Sequence, residues 1–111
     1  MKKLILILVL LASTLSYGQL CEKDGLVYDE QGNLFTGTHT EYYENGNPKV
    51  EINFVDGIRD GLVLAYFEDG SVQKKYFYHE GKFHGKFKEF DSNGNLCGLA
   101  SYKNGIKELE E

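Results

Sequence analysis

The side chains with the means to do chemistry are three histidines (His39, His79, His84), two cysteines (Cys21, Cys97) and carboxylates at Glu44, Asp56, Glu68, Asp69, Glu80 and Asp91. A metal site or a nucleophilic centre needs such groups to converge, and in a sequence that convergence is announced by spacings such as His-x-x-x-His or Cys-x-x-Cys. Neither spacing occurs. His79 and His84 flank one turn with Glu80 between them, which offers an adventitious metal site at most, and solvated turn residues is the preferred reading. The carboxylates stand beside glycine and asparagine, where short acidic side chains bond the local backbone and water, so they read as solubilising turn residues and not as acid-base pairs. No glycine-rich segment joins a strand to a helix, so the glycines cradle no phosphate. The expectation is a protein with no catalytic residues, no cofactor and no metal.

The two cysteines take their meaning from the start of the chain. MKKLILILVLLASTLSYGQ has a basic end (Lys2, Lys3), nine apolar residues from Leu4 to Ala12 and a polar stretch closing on Ser16-Tyr17-Gly18. This is the layout of a secretory signal peptide over residues 1–18, with Gln19 the first mature residue. An uncleaved anchor is disfavoured, since a bilayer takes about 20 apolar residues to span. Gly18-Gln19-Leu20 before Cys21 does not match a lipobox. Export places Cys21 and Cys97 where disulfides persist, and two cysteines allow one intramolecular bond. It would tie the start of the mature chain to its last repeat, contributing about 4 kcal/mol by chain entropy; the alternative is an idle thiol pair. Without the leader, 10 basic face 17 acidic side chains, a formal charge of −7. That surface repels phosphate backbones and anionic headgroups, which excludes nucleic acid and strong membrane association as functions.

The elements that carry these residues follow a fixed period. Gly37 to Asp60, Gly61 to His84 and Gly85 to Glu108 are three ungapped copies of 24 residues. Glycines recur in three columns, Gly37/Gly61/Gly85, Gly46/Gly70/Gly94 and Gly57/Gly81/Gly105, and aromatics in two, Tyr42/Tyr66/Phe90 and Phe54/Tyr78/Tyr102. Asn or Asp before Gly between β-prone runs is a hairpin signal. A period of this length means an array of supersecondary units. Residues 19–36 hold a shortened first repeat, with Tyr28 in the aromatic column and Gly32 in the turn column, expected to cap the array's edge. Residues 109–111 are an acidic tail. Helical periodicity is absent after the leader, so the fold class is all-β, an elongated single antiparallel meander sheet of repeated β-hairpins.

Which face of that sheet is buried depends on the turns. If Asn-Gly forms a two-residue turn, Tyr43 and Phe67 join Val50, Ile52, Phe54, Val72, Tyr76 and Tyr78 on one face, leaving Glu41 and Glu89 as charged misfits there. If Glu-Asn-Gly forms a type I turn with a glycine bulge, the register slips by one, Tyr42, Tyr66 and Phe90 join that face, and Lys86 and Lys88 become the misfits. The bulged turn is slightly favoured because it keeps the aromatic columns together. Tyr43, Phe67 and Phe77 are then displayed on an open face suited to a protein strand, a glycan or a second copy of the chain. The Gly61–His84 repeat, apolar on both faces through Leu62-Val63-Leu64-Ala65, should hold the most stable strand.

At these residues the chain resembles the MORN repeat, in the longer bacterial variant found in antitoxin-component proteins of the YwqK type. The unit of Tyr-Tyr/Phe-Glu-Asn/Asp-Gly, a second strand, Asp/Glu/Asn-Gly and an opening Gly carries the resemblance from about Val27 to Lys107. It implies hairpins laid edge to edge and a role in binding proteins or in scaffolding, and it supplies no catalytic residues. The expected function is therefore an exported, non-catalytic protein-interaction or scaffolding module with a protein partner. The alternative is a cell-surface module that binds wall glycan through its aromatic face, disfavoured because the chain has no Trp.

Overall fold

The computed structural model describes residues 20–109. The expected leader and Gln19, and residues 110–111 of the expected tail, lie outside the described residues. The described chain is ten strands with no helix: β1 Cys21–Lys23, β2 Leu26–Tyr28, β3 Gly37–Tyr42, β4 Pro48–Val55, β5 Ile58–Tyr66, β6 Val72–His79, β7 Lys82–Phe83, β8 Gly85–Phe90, β9 Leu96–Lys103 and β10 Ile106–Glu108. β1 and β2 make a hairpin of their own. The others form one antiparallel meander in the order β10-β9-β8-β6-β5-β4-β3, with β7 also paired to β6.

Two kinds of turn alternate along the array. At the first, the Gly46 N–H donates to the Tyr43 carbonyl (3.0 Å) and the Tyr43 N–H to the Asn47 carbonyl (2.9 Å), with Gly46 at φ +92°. This is the type I turn with a glycine bulge, repeated at Phe67–Ser71, at Asp91–Asn95 and, in the shortened first repeat, at Asp29–Asn33. The second is a two-residue turn with both central residues at positive φ, Asp56-Gly57, Glu80-Gly81 and Asn104-Gly105. A type I′ turn needs that backbone, and its twist matches that of the flanking strands.

The expected consequence of the bulged turn for the faces does not hold. Tyr42 pairs with Pro48 but Glu41 with Val50, so Lys49 is left unopposed; Gln73 and Cys97 are skipped in the same way in the next two hairpins. This second bulge cancels the register slip of the first. Val50, Ile52, Phe54, Val63, Tyr76 and Phe87 share one face with Glu41 and Glu89, while Tyr42 and Tyr66 stand on the other. The turn is the one favoured from the sequence and the facing is that of its rival. Each misfit carboxylate has a partner, Glu41 at His39 (3.5 Å) and Glu89 at Lys74 (3.9 Å). Gly98 opposite Glu89 leaves room for that side chain, since a Cβ there would meet Glu89 Oε1 at 2.9 Å.

Little of the sheet is covered. Of the described apolar side chains only Val27, Phe54 and Val63 are buried, and Val63, the most enclosed, lies in β5, the longest strand. Rings supply cohesion along the Phe54 face: Phe35 against Phe54 (5.7 Å between centroids), Tyr76 stacked on Phe87 (4.7 Å), and Phe83 against both Tyr78 (5.0 Å) and Tyr102 (5.1 Å). The Arg59 guanidinium bridges the gap in this ladder, 5.6 Å from the Phe54 ring and 5.9 Å from that of Tyr78. Each aromatic pair adds about 0.5–1.5 kcal/mol beyond burial.

Neighbouring repeats are also clasped through their backbones. The Gly57, Gly81 and Gly105 N–H groups donate to the carbonyls of Phe35, Arg59 and Phe83 at 2.8–2.9 Å. Beside each clasp a side chain from the preceding repeat accepts the other turn N–H: Thr36 Oγ1 from Asp56 (2.8 Å), Asp60 Oδ2 from Glu80 (3.2 Å) and His84 Nδ1 from Asn104 (3.4 Å). The seam between the first and second full repeats is the firmer one. It has three strand pairs that join the two repeats and three rim bonds, from Tyr43 Oη to the Tyr66 carbonyl and from the Asn45 and Asn47 amides to the Glu68 carbonyl. β6 and β8 share only two pairs, and the rim bonds are not repeated there: Phe67 and Asp69 offer no donor, and the Ser71 hydroxyl donates to Asp69 Oδ1 at 2.7 Å.

The β1–β2 hairpin turns at Asp24-Gly25, again with both residues at positive φ. It does not cap the sheet edge as expected, because among the described residues β3 pairs with β4 alone. It docks on the first clasp instead, the Val27 N–H bonding the Gly57 carbonyl and the Val27 carbonyl accepting from Phe35, both at 2.9 Å. A Cβ at Gly57 would lie 2.9 Å from the Val27 oxygen and 2.8 Å from Leu34 Cδ2, whereas one at Gly46 meets nothing within 4 Å. Both substitutions to alanine force an unfavourable φ, at about 1–2 kcal/mol, but only Gly57→Ala adds a collision. Gly57→Ala is expected to lower Tm clearly more than Gly46→Ala in circular-dichroism melts.

Candidate functional site

The sequence proposed Tyr43, Phe67 and Phe77 as one displayed aromatic surface, and the structure separates them. Strand alternation puts Tyr43 and Phe67, each following a residue of the Tyr42 column, on the ring-ladder face at the rim of the first turns. Both are half-buried; the Tyr43 hydroxyl is spent on the Tyr66 carbonyl at 2.7 Å and the Lys49 ammonium lies 5.7 Å from its ring centroid. Phe77 pairs with Leu62 on the opposite face and is exposed. The second bulge is the cause, because it returns each second strand to the facing it would have had with an unbulged turn.

That opposite face, here called the outer face, is where exposed apolar side chains collect. Tyr42, Val55, Ile58, Phe77, Leu96 and Leu99 lie on it, with Leu96 and Leu99 more than half exposed. Its rows can be followed across the sheet, and one runs Thr40, Glu51, Leu64, Lys75, Lys88, Leu99. At the acidic end of this row the Tyr66 hydroxyl donates to Glu51 Oε1 at 2.7 Å. Loss of hydration, reinforced by that carboxylate, pushes the Tyr66 phenol up to about 12. On the ladder face burial likewise raises the Tyr76 phenol, and the hydrogen bond from His39 holds the Glu41 carboxyl below its ordinary range.

The remaining candidates are dispersed. His39 serves Glu41, and His84 caps a turn through Nδ1, which accepts the Asn104 N–H. The His79 and His84 rings lie 5.6 Å apart between centroids, with Glu80 4.0 Å from His79 Nε2. Among the described residues no group of three or more His, Cys, Asp or Glu side chains is placed to hold a metal ion, and no helix is long and apolar enough to cross a membrane. Asp69 and Asp91 bond backbone N–H groups of their own turns at 2.9–3.0 Å.

The Cys21–Cys97 bond is not formed, and both thiols are free and exposed. Cys21 stands on the hairpin docked at the β4–β5 turn, and Cys97 is the bulge residue of β9 beside a turn of the opposite rim. From β5 to β9 is three strand spacings, about 14 Å at 4.8 Å each, and a disulfide needs Cα atoms within about 7 Å.

A clasped ladder of hairpins, with one ring-lined face and one face of exposed apolar residues, defines an all-β repeat array. The family model described as MORN repeat variant matches residues 35–56, 59–81 and 83–104, more than half of the chain. The chain belongs to this family. Each match opens within a residue of the clasp carbonyls of Phe35, Arg59 and Phe83. No curated protein and no solved structure matches the chain significantly.

Two measurements follow. Thiol titration of the native chain without reductant is expected to find two reactive thiols. For Tyr66 the folded phenol stays protonated to higher pH than the unfolded one, so its contribution is whole below pH 10 and lost as the pH rises through about 12. Tyr66→Phe should therefore lose less Tm than the wild type between pH 9 and pH 11.5.

Proposed function

We propose that this chain is a non-catalytic protein-interaction or scaffolding module. The observation that carries the reading is the outer face, where Phe77, Leu96 and Leu99 stand exposed on regular strands instead of in turns. A monomer gains nothing by holding apolar side chains in a pleated row facing water, and such patches mark interaction sites. Membership of the MORN repeat variant family supports a repeat module, and the resemblance to antitoxin components suggests a role in holding another protein. Export through the N-terminal segment would place that protein outside the cytoplasm.

Affinity capture tests this. Immobilised chain is exposed to an envelope extract of the producing cell, alongside a Phe77→Ser, Leu99→Ser variant whose fold is checked by circular dichroism. One protein retained by the wild type and lost by the variant is the expected result. Retention of insoluble wall polysaccharide, with no protein dependent on those two side chains, would replace the reading with the glycan one.

A further inference from the structure

The outer face changes character along the array. Over strands β6 to β9 it presents Lys75, Lys82, Lys86, Lys88 and Lys103 with no strand carboxylate among them, in a chain whose formal charge is −5. The carboxylates bordering this stretch are Glu108, opposite Ser101 on the outermost strand, Glu80 in the β6–β7 turn beside His79, Asp60 on β5, which accepts the Glu80 N–H, and Glu51, which is engaged by Tyr66. Lys74, one residue from Lys75 but on the ladder face, has Glu89 at 3.9 Å; among the described residues none of the five outer lysines has an ion pair. Lys75 and Lys88 are direct cross-strand partners, one of only two pairs that join β6 to β8. Like charges placed opposite each other weaken a sheet, and here they weaken its thinnest seam. Apolar side chains flank them, Leu99 beside Lys88 in the same row and Phe77 next along β6 from Lys75.

We propose that this basic and apolar part of the outer face receives an acidic segment of a partner protein, its carboxylates over Lys75 and Lys88 and its apolar side chains against Phe77 and Leu99. The inference rests on the interaction-module reading and gives the partner's chemistry. Charge complementarity selects the occupant: an anionic group between the two ammonium groups relieves a repulsion that no ion pair among the described residues relieves. A membrane surface would satisfy the same lysines, but an anionic bilayer repels the protein's net negative charge. Bound there, an acidic segment also splints the second repeat to the third.

The test uses the full chain and a fluorescein-labelled peptide of alternating glutamate and leucine, read by fluorescence anisotropy, with lysine-leucine and glutamate-serine peptides as controls. The glutamate-leucine peptide is expected to bind best, more weakly as salt rises, and at least tenfold more weakly to Lys88→Glu. The same substitution replaces a like-charge pair by an opposite one, so its Tm is expected to rise by a few degrees while binding falls. Opposed effects on stability and binding are not expected of lysines with only a structural role, and the raised Tm shows that the variant is folded. Equal binding by wild type and variant would overturn the proposal. So would preference for the lysine-leucine peptide, uptake by phosphatidylserine vesicles in place of the peptide, or a low-salt dimer that occupies the face with a second copy. Should the peptide fail while the Phe77- and Leu99-dependent capture succeeds, the interaction-module reading stands and the acidic partner falls.

Discussion

The backbone clasp between successive repeats is the interaction on which the rest depends. A fold with three buried apolar side chains among its described residues, two of them in the main sheet, cannot be held by a core in the usual sense. What recurs every 24 residues is a turn glycine whose N–H bonds a carbonyl of the preceding repeat, with a neighbouring side chain satisfying the adjacent N–H. A hydrogen bond contributes about 0.5–1.5 kcal/mol net, so the individual clasps are modest. Their effect comes from position: each fixes one hairpin against the last and sets the register in which the ring ladder closes. Threonine, aspartate and histidine occupy the same capping column because the column asks only for an acceptor. That is why His84 needs no catalytic explanation.

The array itself was legible from the sequence, because its signals are local. Asn-Gly and Asp-Gly dipeptides specify backbone conformations over a few residues, and the structure has those turns. The second bulge was not legible. Lys49, Gln73 and Cys97 share a column but no property that marks a skipped residue, and the bulge shows only in how the partner strand resumes pairing. Its omission reverses the side of the sheet to which the Tyr42 and Tyr66 column belongs, and so separates Tyr43 and Phe67 from Phe77. The N-terminal hairpin did carry a usable signal, Asp24-Gly25 before Leu26-Val27-Tyr28.

The two faces divide the work. One is cohesive, its rings touching from Phe35 to Tyr102 with Arg59 standing where its neighbouring repeats have phenylalanine. The other is available, and its charge is not distributed as the composition suggests. Net charge describes the whole molecule, whereas a partner meets one patch of it, and the lysines gathered on β6, β8 and β9 make that patch opposite in sign to the chain.

The unequal seams have a mechanical meaning. Pulled by its two ends, an array of hairpins transmits tension through every repeat in series, and it yields at the junction with the fewest bonds to break. In this chain that junction is β6 against β8, where two strand pairs stand in place of three and no rim bonds assist. The third repeat would peel away while the first two stayed locked together. The molecule is in that sense a tether with a built-in weak link.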